Sequence, residues 1–381
     1  MRRIVGIAAA VAVTIGLAAV PAATAASASP QPVEITRFLG EQRLPYKMPY
    51  AGTTVGGLSG LDRDPLTGTW YLISDDRGRY GPARFYTGRL AFDWRTGAFT
   101  GVHLTGVNTF LRPDGSTYPP YGEPGSADPE TIRYDRWTDR LLWGDEGDRP
   151  DAGHPDIPPS GLYVHRADVQ GQQIGELSMP ANLRMTGTDT GPRRNFGIEG
   201  LAITSRTITT ATEGPRFEDG EPPTVEHGAA ARLTVWSRFR SKPSAQYVYP
   251  VDPLPTAPVP PTGQSDSGVS ELLAIDENRF LALERTWLEG VGYRVKLYEI
   301  DLRGATNVLA RNSLTTGGPY RAVSKRLVTD LDDIRTPVQN LESLAWGPRL
   351  RTGECTLVIG SDDNFSAEET TQFLAFATRS C

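Results

Sequence analysis

The chain has 381 residues, with 45 aspartates and glutamates against 39 lysines and arginines and a formal charge of −6. A net-acidic surface argues against nucleic acid and against anionic membranes as partners, because both are polyanions. It also sets a condition: an anionic substrate here needs a bound cation or a local arginine cluster to offset the repulsion.

The N-terminal stretch "MRRIVGIAAAVAVTIGLAAVPAATAASASP" opens with Arg2 and Arg3. It runs on as apolar sequence broken by Gly16 and Pro21, then reaches small residues ending Ala23-Thr24-Ala25. That order is expected of a secretory signal peptide cleaved after Ala25, with residues 26–381 exported as a single domain. A membrane anchor is the competing reading, but the run is short for a span and no nearby cysteine offers lipid attachment. The two cysteines, Cys355 and Cys381, are expected to pair in an oxidising compartment. Free thiols or a cysteine nucleophile are the alternative.

The first predicted strand, in "VEITRFLGEQRLP", belongs to no repeat. After it the sequence repeats itself. "GGLSGLDRD", "DPETIRYD", "GIEGLAIT", "GVSELLAID" and "NLESLAWGP" place Ser59, Glu130, Glu199, Glu271 and Glu342 in one column, 71, 69, 72 and 71 residues apart. The first copy continues as "TWYLISDD", "RFYTGRLAF" and "FTGVHLTGV". The second continues as "RLLWGDE", "GLYVHRAD" and "IGELSMP", and the third as "TITTATE", "ARLTVWS" and "AQYVYPV". The fourth has "RFLALER", "RVKLYEID" and a fainter strand in "KRLVTDL"; the fifth has only "CTLVIGSDD" and "TQFLAFAT" after its first strand. Short β-branched and aromatic runs between Asp, Gly and Pro are strand signals. Four strands per repeat, arranged radially, predict an all-β propeller of five four-stranded blades. The N-terminal strand supplies the strand missing from the last blade and so removes an open edge. A sixth blade remains open if a long connection hides strands.

Strand direction alternates within a blade, so first-strand starts and second-strand ends share one face. Acids stand at both. Glu130, Glu199, Glu271 and Glu342 begin first strands. Asp75, Asp76, Asp145, Glu146, Glu213, Glu284, Asp362 and Asp363 end second strands. Long connections such as "NLRMTGTDTGPRRN" and "PLPTAPVPPTGQSD" fall on the same face. Carboxylates gathered around one axis repel unless a cation or arginine intervenes. Calcium takes six to eight oxygen ligands in irregular geometry, so a calcium site here has a physical rationale. The competing reading makes each acid a hydrogen-bonded lock between blades. Arg77, Arg149, Arg216 and Arg285 accompany the acids, either as ion-pair partners or as a phosphate clamp.

Other hydrolase signatures are missing. "GLSGL" around Ser59 lacks the second glycine of a nucleophile elbow, and the four histidines form no zinc-like pair, although His154 and His227 lie in loops on the acidic face. No phosphate-cradling or dinucleotide-binding glycine loop occurs.

Together "GLSGLDRDPLTGTWYLISDDRG", "DPETIRYDRWTDRLLWGDEGDR", "FGIEGLAIT…TATEGP", "GVSELLAIDENRFLALER" and "NLESLAWGP…LVIGSDDN" resemble the secreted bacterial proteins known as the esterase-like activity of phytase family. The resemblance runs from about residue 35 to 378. It implies phosphoester hydrolysis on a small anionic or phosphorylated substrate, with calcium in an acidic channel mouth; the chain is expected to be a monomer. The expected ligands come from Asp75, Asp76, Glu130, Asp145, Glu146, Glu199, Glu213, Glu271, Glu284, Glu342 and Asp362. Arg77, Arg285 and Glu213 are the expected catalytic groups. A non-catalytic binding propeller with a structural metal is the alternative, as is a metal-dependent lactonase or carboxylesterase.

Overall fold

The computed structural model describes residues 31–381, apart from 152 and 335, together with residue 10. Residue 10 aside, the expected signal peptide lies outside the described residues. Residues 32–381 form one compact unit. Strand β1 (Ile35–Arg43) and a hairpin, β2 (Met48–Tyr50) and β3 (Thr53–Val55), come first. Blade 1 is β4 (Gly60–Arg63), β5 (Trp70–Ser74), β6 (Arg84–Phe92) and β7 (Phe99–Thr109). Blade 2 is β8 (Pro129–Asp135), β9 (Arg140–Asp145), β10 (Tyr163–Ala167) and β11 (Gln173–Glu176). Blade 3 is β12 (Ile198–Ile203), β13 (Thr207–Thr212), β14 (Ala229–Ser237) and β15 (Pro243–Val251). Blade 4 is β16 (Ser265–Ala274), β17 (Arg279–Leu288), β18 (Gly292–Asp301) and β19 (Ser324–Asp330). Blade 5 is β20 (Asn340–Trp346), β21 (Cys355–Asp362) and β22 (Gln372–Thr378), completed on its outer edge by β1.

Five blades, closed by the N-terminal strand, are what the repeat predicts. β1 pairs antiparallel with β22 from Ile35↔Thr378 to Arg43↔Gln372. The first strands touch in sequence around the axis, β4 with β8, β8 with β12, β12 with β16 and β16 with β20, and β20 returns to β4. The Cys355–Cys381 disulfide, with Cα atoms 6.0 Å apart, fastens the C-terminus beside this closure.

The core lies between blades. Each blade is covered on both faces, so its middle strands read as continuous apolar runs whose alternate residues serve different neighbours. In β5, Trp70 and Leu72 pack against blade 5, while Tyr71 and Ile73 pack against blade 2. In β17, Phe280 and Ala282 face blade 3, while Leu281 and Leu283 face blade 5. Leu142 and Val164 meet Ile198 and Trp236 between blades 2 and 3. A single-face hydrophobic pattern is therefore absent from the sequence for a structural reason.

Three features depart from the sequence reading. β16 begins at Ser265 and β17 runs on to Leu288, so part of the proline-rich connection before Glu271 is strand. The β2–β3 hairpin is additional. The long connection between β18 and β19 folds back along blade 3, where Val308 N–H donates to the Gln246 carbonyl at 2.7 Å.

Candidate functional site

The acid column is made by β-bulges. In blade 2 the pairing steps from Pro129↔Asp145 to Thr131↔Gly144, leaving Glu130 unpaired. The same slip isolates Glu199 in blade 3 and Glu342 in blade 5. A bulge re-aims the extra residue, and here it turns each glutamate into the mouth of the channel. In blade 4 the unpaired residue is Ser270, because Val269 pairs with Glu284 and Glu271 with Leu283. The structural column is therefore Ser59, Glu130, Glu199, Ser270 and Glu342. Both serines act alike: Ser59 Oγ donates to the Pro129 carbonyl at 3.3 Å and Ser270 Oγ to the Leu341 carbonyl at 3.2 Å.

The two blades with serine each bring an arginine to the rim, Arg77 from the turn after β5 and Arg285 from within β17. Arg77 Nε lies 2.8 Å from Asp128, and its NH2 lies 3.6 Å from Glu146 and 3.9 Å from Glu130. Arg285 lies 2.6 Å from Glu213, 3.1 Å from Asp266 and 3.5 Å from Glu342. Arg285 thus bridges acids of blades 3, 4 and 5, whereas Arg77 reaches from blade 1 to three acids of blade 2, and each belongs to a blade where the column carries serine.

The pocket at the channel mouth has a volume of about 170 Å³ and gathers Asp75, Glu130, Glu146, Glu199, Glu213, Glu342 and Asp362 with Arg77 and Arg285. Asp266, Trp287, Tyr293 and Asn340 also line it. Carboxylate oxygens of Asp128, Glu130 and Glu146 lie within 4.8 Å of one another, as do those of Glu146, Glu199 and Glu213. Either group could hold a metal ion, and Glu146 belongs to both. Gly197 makes this possible: a Cβ there would lie 2.4 Å from Glu146 Cγ, and its N–H donates to Glu146 Oε1 at 2.9 Å.

Burial, and then repulsion from the neighbouring acids, holds Glu130, Glu199, Glu213 and Asp362 well above the ordinary carboxylate range. The same causes, opposed by Arg77, push Asp75 and Glu146 up to about 8 and Asp128 to about 6. Burial raises Glu342 to about 7 against the pull of Arg285. Asn340 Oδ1, buried in the pocket wall, accepts no hydrogen bond. The rim backbone is also strained: Arg77, Asn195, Asn364 and Phe365 all have φ between 46° and 56°, a region unfavourable for residues with a Cβ.

Four expected metal ligands are not part of this pocket, because protein donors take their lone pairs. Glu271 sits deeper in the channel. It accepts Thr131 Oγ1 at 2.9 Å, Leu201 N–H at 2.9 Å and its own Leu272 N–H at 2.8 Å, and pairs with Arg133 at 2.8 Å. Glu284 accepts Lys325 Nζ at 2.6 Å, Tyr249 Oη at 2.9 Å and Asp252 N–H at 3.1 Å. Asp145 accepts the N–H groups of Asp128 at 3.1 Å and Gly147 at 3.0 Å. Asp76 pairs with Arg84 and accepts Gly78 N–H at 2.7 Å. Glu271 and Glu284 are locks between blades, as the competing reading describes, whereas Asp145 and Asp76 hold groups of their own blade. Arg149 and Arg216 are likewise structural: Arg149 donates to the Pro192 carbonyl at 3.0 Å, and Arg216 pairs with Asp219 at 2.8 Å.

Two acids escape sequence reasoning. Asp128 stands two residues before Glu130 on the same strand approach, and Asp266 lies in sequence that reads as loop. A side cavity of about 280 Å³ adjoins the pocket past Asp75 and Arg77 and includes His154 with Tyr80 and Tyr121. His227 is exposed, its Nδ1 3.0 Å from the Gly228 carbonyl.

Solved structures similar to this chain include a chain of the mitotic checkpoint complex, at 12% identity and TM-score 0.34, covering 96% of this chain and 98% of that one. A second is a putative oxidoreductase (glucose dehydrogenase) from Thermus thermophilus, at 12% identity and TM-score 0.36, covering 84% and 98%. A third is a protein of unknown function from Dyadobacter fermentans, at 11% and 0.36, covering 87% and 78%. Similarity at this level carries no argument about activity. No curated protein matches the sequence. The profile of the Phytase-like family, described as esterase-like activity of phytase, matches residues 53–365, and the chain belongs to that family.

Proposed function

We propose that the chain is an exported, cation-dependent phosphoester hydrolase that works at the channel-mouth pocket. One observation carries the reading: many carboxylates converge on one small pocket where, among the described residues, Arg77 and Arg285 are the cationic side chains that oppose them. Such an excess of buried negative charge is costly unless protons or a cation neutralise it. The donor set fits a hard divalent cation. It is all oxygen, it has two groups of three carboxylates sharing Glu146, and it includes the neutral Asn340 Oδ1. Calcium suits this irregular, oxygen-only set.

Asp128, Glu130, Glu146, Glu199 and Glu213 would hold the ion. Bound there, a cation supplies charge neutralisation for phosphate and lowers the pKa of a water. The chain's own residues do the rest. Arg77 and Arg285 are fixed by ion pairs on opposite sides of the carboxylates, so their guanidiniums are preorganised for charge developing on phosphate oxygens. Arg285 pairs with Glu213 at 2.6 Å, and Glu213, once a bound cation has favoured its ionised form, would accept a proton from an attacking water. The disulfide accords with export into an oxidising compartment.

The test is phosphate release from phytate and from a simple phosphomonoester, measured with calcium and then with chelator. Release that needs the cation and falls at least roughly 100-fold in Glu146→Gln, by the usual weight of one electrostatic group in an active site, supports the reading. No release with any divalent metal overturns it.

A further inference from the structure

The face opposite the pocket has an unexpected composition. Its turns join first to second strands and third to fourth strands, and three of them share one motif: Asp64-Pro-Leu-Thr67, Asp93-Trp-Arg-Thr96 and Asp135-Arg-Trp-Thr138. In each, the aspartate folds onto its own turn. Asp64 accepts Leu66 N–H at 2.8 Å; Asp93 accepts the N–H groups of Arg95 at 3.0 Å and Thr96 at 2.7 Å; Asp135 accepts Trp137 N–H at 3.0 Å and Thr138 Oγ1 at 2.8 Å. The carboxylate holds the turn, and Asp135 also pairs with Arg238 at 2.6 Å, while the two tip residues are presented outward on a stiff frame.

Those tips are apolar or cationic. Leu66 is 87% exposed, Trp94 60% and, on the β14–β15 turn, Phe239 81%. The guanidiniums of Arg95 and Arg351 lie 4.7 and 5.0 Å from the Trp94 ring, and those of Arg136 and Arg238 lie 4.6 and 4.3 Å from the Trp137 ring. Arg240 and Lys242 follow Phe239. The net charge of −6 conceals this asymmetry, because the acids of the pocket lie on the other face. Screening over roughly 8 Å at physiological salt lets a local basic surface act independently.

We propose that the turn face of blades 5, 1, 2 and 3 docks on an anionic lipid bilayer. Leu66, Trp94, Trp137 and Phe239 enter the interface, and Arg95, Arg136, Arg240, Arg351 and Lys242 around them meet lipid phosphates, while Arg238 stays paired with Asp135. A soluble polyanion would satisfy the guanidiniums but would leave Leu66 and Phe239 in water, so the bilayer is the occupant that uses both kinds of side chain. Among the described residues no helix is long and apolar enough to cross a membrane. Docking by this face would turn the acidic pocket away from the lipid.

The full chain is mixed with phosphatidylcholine vesicles, with and without phosphatidylglycerol, and bound protein is measured by flotation. A Leu66→Ser/Trp94→Ser/Phe239→Ser variant is run beside it; residues 1–31 are common to both, so the difference reports the turn face alone. The expected result is binding that requires phosphatidylglycerol, weakens with salt and falls about tenfold or more in the variant. Brominated acyl chains should quench tryptophan emission in the parent chain, and less so in Trp94→Phe. Equal binding by the variant overturns the proposal, as does binding indifferent to phosphatidylglycerol. Inorganic polyphosphate binding as tightly to the triple variant as to the parent, without vesicle binding, assigns the face to a polymer instead. Self-association lost in the variant, without vesicle binding, assigns it to a second copy.

Discussion

Glu271 and Glu146 look equivalent in the sequence, and the structure gives them opposite work. Glu271 balances the buried Arg133, so removing its charge leaves an unpaired guanidinium in the channel. Glu271→Ala should lower stability by about 3–5 kcal/mol, the usual cost of orphaning one member of a buried pair. Cation affinity should be unchanged in whatever fraction folds; thermal melts with a calcium titration read both. Glu146→Gln should do the reverse, since it relieves repulsion and deletes the carboxylate common to both groups. Gly197→Ala pushes a methyl group into Glu146, and should cost about 1–3 kcal/mol, as overpacking does, while weakening the cation. The pH dependence has a definite sign. Asp128, Glu342, Asp75 and Glu146 carry folded-state pKa values raised to about 6, 7, 8 and 8. The folded chain therefore holds protons that the unfolded chain has released. This contribution is fully present below the unfolded carboxylate range and is lost as pH climbs through about 6 to 8. Chelated protein should melt at progressively lower temperature across that window, and saturating calcium should remove the fall. A flat chelated profile contradicts the assignment.

At the scale of elements, most of the architecture is legible in the sequence because each blade repeats its strand signals near every seventy residues. The fainter strand in "KRLVTDL" is β19, and "VEITRFLGEQRLP", expected to complete the last blade, is the closing strand β1. The bulges are not legible. Aligning on Glu271 is natural when residue type is the only guide, yet a slip of one residue sends a side chain to the other side of a strand. In blade 4 the bulge falls on Ser270, so Glu271 points down the channel rather than into the rim. The extension of β16 and β17 is hidden for a related reason: proline and glycine just before Ser265 read as loop, and Asp266 goes unnoticed there. The closure itself can be tested. The Cys355–Cys381 bond joins residues 26 apart, and a loop of that size is worth about 3 to 4 kcal/mol when its closure is treated as chain entropy. Reduction should lower the melting temperature without changing the far-ultraviolet spectrum at room temperature.

For the whole molecule, the ring gives the site its character. Blades 2, 3 and 5 send glutamates to the axis, while blades 1 and 4 place serine there and bring an arginine to the rim, Arg77 from the turn after β5 and Arg285 from β17. The outcome is a strongly acidic pocket with two fixed cationic groups, closed beneath by the Arg133–Glu271 pair. The sequence signals the acids and arginines but not this alternation, which exists only once the five blades stand around one axis. Everything proposed for the site depends on whether that pocket takes a divalent cation. The direct measurement is equilibrium calcium binding to the chelated full chain, with Glu146→Gln as comparison. At least one calcium per chain is expected, held roughly 100-fold more weakly in the variant, in line with the loss of a shared ligand. No calcium bound, or equal affinity in the two proteins, contradicts the cation site.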